Sequence, residues 1–172
     1  MARTIAKRDP GTVIQSEPVE TGIPSKQRSR IAAALSAILG ETYKLMVKSH
    51  VYHWNVVGPL FVSVHKLTQV QYEDLFRATD EIAERVRALG FPAPHVSERR
   101  MELGSIALPG KDACARTIIE DLIADHEALA RNARAAAKQA EESDDFASHD
   151  LLVGRLDFHE KAIWMLRAIV TE

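Results

Sequence analysis

Residues 59–90 read PLFVSVHKLTQVQYEDLFRATDEIAERVRALG, and the fold turns on how this stretch is read. Val64, Leu67, Leu75, Ala78, Ile82, Val86 and Leu89 recur at helical steps, with Gln71 as one polar interruption. That period predicts a helix from about Pro59 to Leu89 with one apolar stripe. Gly90 suits the residue past a helix end, and Pro92 and Pro94 block continuation. Beside this stripe lies a second set at the same spacing: His65, Gln69, Tyr72, Phe76, Asp80 and Glu84. Packing into a bundle needs only one stripe. Imidazole, aromatic rings and carboxylates together make a poor solvent face and a sensible interface that also holds something charged.

Working outward, Pro24 suits a first helical turn, and Ile31, Leu35, Ile38, Leu39, Leu45 and Met46 continue the period to about Trp54. Asn55-Val56-Val57-Gly58-Pro59 then forms the turn into the second helix. Residues 91–110 make a long connection, with a short helix expected around Glu98–Leu103. A third helix spans about Asp112–Glu142 on Ile118, Ile119, Leu122 and Leu129. Ser143-Asp144-Asp145 breaks it and caps a fourth, running to about Ile169 on Leu152, Leu156, Ile163, Leu166 and Val170. With no strand pattern, the fold class is all-α: a four-helix bundle over 25–172, whose long second connection permits a crossover, as in ferritin-like bundles. Residues 1–24 carry no periodicity and read as a flexible basic tail.

Composition agrees with this. Of 172 residues, 46% are apolar and 27% charged, enough for one sizeable core and too apolar for a disordered chain. The single cysteine, Cys114, excludes an internal disulfide. No apolar run approaches the roughly 20 residues of a membrane span, and the N-terminus lacks a secretory apolar core. A cytoplasmic location follows as the expectation. The first thirty residues hold Arg3, Lys7, Arg8, Lys26, Arg28 and Arg30 against three acids, so a basic arm sits on an acidic body.

The second face of the second helix carries the chemistry. His65 and Asp80 are separated by roughly 22 Å of helix, so one chain cannot place both on one ion. Two copies packed antiparallel across a two-fold axis near Asp74 would bring His65 of one to Asp80 and Glu84 of the other. His53 reaches the same place across the short turn. Imidazole with carboxylate suits iron, zinc or manganese. The alternative is a purely structural interface in which His65 is hydrogen-bonded to Glu84.

The segment His53-Trp54-Asn55-Val56-Val57-Gly58-Pro59, then Phe61 and His65, then Asp80-Glu81-Ile82-Ala83-Glu84-Arg85 resembles the signature of the Dps family. Ile163-Trp164 and the N-terminal arm are similar too, and the resemblance covers residues 27–170. It implies a homo-oligomeric shell of twelve subunits with ferroxidase sites between two-fold partners. His53 and His65 of one chain, with Asp80 and Glu84 of the other, would hold iron as catalytic and metal-binding residues. Fe(II) would be oxidised, by hydrogen peroxide in preference to oxygen, and stored as ferric mineral, protecting against oxidative stress. Trp54 would intercept radicals. Two departures bear on this. Gln69 stands where the family usually has a carboxylate, and His50 where a lysine is often seen. Both become further candidate ligands, and Gln69 could weaken oxidation or favour zinc. No Glu has a His three residues later, so the di-iron motif at the centre of ordinary ferritin bundles is absent.

Weaker signals remain. Asp144, Asp145 and Asp150 could line an acidic entry pore. His126, His149 and His159 read as structural or surface residues. The basic residues Arg3, Lys7, Arg8, Lys26, Arg28 and Arg30 could bind DNA through phosphates, without sequence preference, giving a nucleoid-associated protein. A DNA-compacting protein with a weakened or zinc-occupied site is the competing function.

Overall fold

The computed structural model describes residues 16–94, 110 and 114–171. Four helices carry the architecture: α1 (Ser25–Asn55), α2 (Phe61–Ala88), α3 (Ala115–Glu141) and α4 (Phe146–Val170), with no strand among the described residues. The boundaries fall within three residues of those read from the sequence, except that Pro59 lies in the turn rather than at the head of α2. The short helix expected around Glu98–Leu103 and the tail residues 1–15 lie outside the described residues.

Ion pairs and hydrogen bonds fix the helix directions. His53 faces His65 at one end of the α1–α2 hairpin, and Arg28 Nη1 donates to the Leu89 carbonyl (2.6 Å) at the other. Tyr52 donates to Asp121 near one end of α1, and Asn132 to Glu41 (2.8 Å) further back, so α3 runs antiparallel to α1. It therefore runs parallel to α2, which explains the long connection: the chain must return the length of the bundle before α3 can start. Arg155 to Asp74 (2.7 Å) and Arg85 to Asp145 (2.5 Å) set α4 antiparallel to α2.

The α2 stripe is buried as read, from Val64 to Leu89 and including Gln71. In α4 the expected stripe is only partly right. Leu152 and Leu166 are buried, whereas Leu156, Ile163 and Val170 are half-buried. Ser148, Arg155, His159 and Ala162 take the inward positions instead.

The segment before α1 is tied down earlier than a free tail would be. The Glu17 amide donates to the Gly90 carbonyl (2.9 Å), and its carboxylate pairs with Arg87 (2.7 Å). Gly90 adopts φ +91°, open to glycine at no steric cost, and a Cβ there would lie 2.6 Å from the Glu17 carbonyl oxygen. No described helix is long and apolar enough to cross a membrane.

Candidate metal centre

The five residues between α1 and α2 fold the chain back so tightly that His53 and His65 stack, with centroids 3.7 Å apart and planes 18° apart. Each ring is oriented by the other residue's backbone: His53 Nδ1 donates to the His65 carbonyl and His65 Nδ1 to the His53 carbonyl, both 2.8 Å. A carbonyl only accepts, so both rings carry their proton on Nδ1. In the neutral ring the Nε2 lone pair is then left for another ligand, as in metal-binding histidines.

Aromatic rings surround the pair. Phe61 stacks on His65 (4.9 Å), and Tyr72 meets His53 edge-on (5.3 Å). His50 lies between Tyr72 (4.3 Å) and Trp54 (4.1 Å), with its ring 6.3 Å from that of His53. Trp54 itself is 63% exposed. Gln69, also exposed, donates to Glu73 (2.9 Å) one turn on. Glu73 is a carboxylate the sequence reading passed over; its signal was the four-residue step from Gln69.

Asp80 and Glu84 sit on the same face of α2, exposed, in its far half. They do not approach the imidazoles within the chain. Among the described residues, no three His, Cys, Asp or Glu side chains stand close enough to hold a metal ion. The face also exposes Val70 (61%) and Phe76 (64%). Apolar side chains beside two paired imidazoles fit a surface that another molecule covers.

Two smaller readings need correction. Asp145 does not face a pore: it is 1% exposed and caps α4, accepting from the Ser148 amide (3.0 Å) and hydroxyl (2.6 Å) while pairing with Arg85. Asp144 and Asp150 remain exposed. Arg28 is not a surface cation: it is buried and donates to the Ile23 (3.1 Å) and Leu89 carbonyls. Lys26 and Arg30 are exposed at the start of α1, and Arg3, Lys7 and Arg8 lie outside the described residues.

The sequence did not reveal two buried clusters. Lys48 reaches Asp121 (2.7 Å) and Asp125 (2.6 Å). Burial alone would lower its pKa, but the two carboxylates outweigh it and hold the ammonium above its usual value. His126 and His159 are both buried, with Nδ1 atoms 2.8 Å apart.

Residues 32–172 match the family model for the ferritin-like domain. A low-temperature-induced protein of Nostoc is 36% identical over 88% of this chain and 86% of its own. DNA protection during starvation protein 2 of Bacillus anthracis is 32% identical over 74% of this chain and 88% of its own. The crystal structure of the Dps protein of Vibrio cholerae, described as a member of a superfamily of ferritin-like diiron-carboxylate proteins, superposes with a TM-score of 0.79. It is 25% identical and covers 91% of this chain and 100% of that one. Sequence, helix order and the paired histidines lead to one assignment: the chain belongs to the Dps family of ferritin-like proteins.

Proposed function

We propose that this protein oxidises Fe(II) with hydrogen peroxide or oxygen and stores the product as ferric mineral inside a twelve-subunit shell. Iron is the substrate here. His53 and His65 of one copy bind it through Nε2, and Asp80 and Glu84 of a two-fold partner supply the carboxylates. The observation that carries this reading is the reciprocal Nδ1–carbonyl pair, which sets both rings in the metal-binding tautomer before any ion arrives. Carboxylates opposite them favour Fe(III) over Fe(II), since hard oxygen anions bind the more highly charged ion better. Gln69 withholds one negative charge from the site, and Glu73 restores one within a turn. Trp54, at the exposed end of the ring cluster, is placed to give an electron to a stray oxidant before it leaves the site.

The test is anaerobic loading of the purified protein with Fe(II), then hydrogen peroxide, with ferric absorbance and particle size followed together. Oxidation into a soluble shell-sized particle is the expected result. His65→Ala should slow oxidation by at least about tenfold, as loss of a ligand must exceed the effect of losing its supporting bond, and should leave particle size unchanged. An unaltered rate in that variant would remove the site from His65, and a shell that takes up zinc but oxidises no iron would reassign the metal. DNA compaction is less well supported, because Arg28 is buried in the body.

A further inference from the structure

Three rings form an unbroken stack near the turn of the α1–α2 hairpin. His50 and Trp54 are one helical turn apart on α1, which sets their rings on one face of that helix, with centroids 4.1 Å apart. Tyr72 comes across from α2 and stacks on His50 at 4.3 Å, within 26° of parallel. The order is therefore phenol, imidazole, indole. The two ends differ in setting. Tyr72 is half-buried and meets His53 edge-on (5.3 Å), whereas Trp54 is 63% exposed.

Phenol and indole are the rings from which a one-electron oxidant most readily draws an electron, and here they stand at opposite ends of one contact path. The other tyrosines are placed differently. Tyr52 is buried, and its hydroxyl donates to Asp121 of α3. Tyr43 lies roughly 16 Å back along α1 from Trp54. Among the described residues, Tyr72 is the tyrosine whose ring contacts lead to Trp54. The imidazole between them matters. A lysine at position 50 would part the two rings with a charged, flexible chain, while His50 leaves no gap wider than one ring.

We propose that Tyr72 refills oxidised Trp54 with an electron across the His50 ring. A one-electron oxidant of the hydroxyl-radical class takes an electron from Trp54 and becomes hydroxide, and the indole N–H proton passes to water. The indolyl radical then draws an electron from Tyr72 through His50. The phenolic proton passes to water and the indole recovers one from it, leaving a tyrosyl radical and an intact tryptophan. The direction is set because a phenoxyl radical is the weaker oxidant of the two near neutral pH. Fe(II) held beside His53 would return Tyr72 to the phenol, giving one electron and becoming Fe(III) while the phenolate takes a proton from water. That last step rests on the iron-oxidising reading above; the transfer from Tyr72 to Trp54 does not.

The experiment uses metal-free full-length protein carrying Trp164→Phe, which leaves Trp54 as the one indole. Azide radicals made by pulse radiolysis oxidise tryptophan, and the indolyl and tyrosyl radicals are followed through their separate absorption bands. Indolyl decay should be first-order, independent of protein concentration and matched by tyrosyl growth. Tyr72→Phe should abolish that growth with Tyr43 and Tyr52 still in place. His50→Lys should remove most of it, and His50→Phe, which keeps a ring in the stack, should restore it. The proposal is overturned if no transfer occurs in the parent protein, if tyrosyl growth survives Tyr72→Phe, or if His50→Lys transfers as fast as the parent. Because no metal is present, transfer that requires Tyr72 and a ring at position 50 supports the proposal even if the protein oxidises no iron.

Discussion

Nδ1 of His126 lies 2.8 Å from Nδ1 of His159, so one ring donates and the other accepts, and the accepting nitrogen cannot take up a proton without breaking the bond. Burial pushes the His126 pKa far below its ordinary range, with Arg155 adding to the shift. His159 is lowered first by burial, then by His126 and by Arg155. An unfolded imidazole titrates near 6.5, and a depressed folded value means that the unfolded state takes up protons first. Stability from the pair is therefore complete above about pH 6.5 and is lost progressively as pH falls below it. Each unit should remove about 1 to 2 kcal/mol per imidazole. Chemical denaturation at a series of pH values checks this: a His126→Phe/His159→Leu variant should show a much shallower loss between about pH 6.5 and 4. Equal slopes would mean that carboxylates elsewhere govern acid unfolding.

At the level of elements, the junction of α2 with residues 16–24 rests on one backbone conformation. Gly90→Ala would hold an L side chain at φ +91° with its Cβ against the Glu17 carbonyl. We expect a loss of about 2 kcal/mol or more and release of the Glu17–Arg87 pair, read as faster amide exchange at Glu17. Unchanged stability would show that the segment has room to move aside. The Gly-Pro-Pro punctuation made the end of α2 legible in the sequence, and the 3.6-residue period made its two faces legible. In α4 the same reasoning failed for a physical reason. Apolar residues surround that helix, with Trp164 (66%) and Phe146 (69%) exposed, so periodicity defines no single inward side. The pairing of His126 with His159 was hidden as well, because periodicity gives a residue's face and not the register between two helices. The candidate residues His65, Asp80 and Glu84 could be singled out because they recur on one face of one helix and match a family signature, whereas the cross-bonded Nδ1 atoms appear only once the turn has closed.

At the scale of the whole molecule, the apolar side chains of α2 and α4 are more exposed than a lone bundle would favour. The same face of α2 carries the His65 imidazole near its start and carboxylates toward its far end. That separation has a consequence in genetic terms. On the proposed two-fold pairing, a His65→Ala chain and an Asp80→Ala chain are each inert when made alone, since every site in either assembly lacks one ligand. Expressed together they form mixed pairs. In such a pair one site inherits both lesions and the other inherits neither. Two null alleles should therefore complement each other and recover a fraction of wild-type iron oxidation that no mixing of separately assembled shells reproduces. Failure to complement in co-assembled particles would mean that His65 and Asp80 do not share a site across the two-fold pairing.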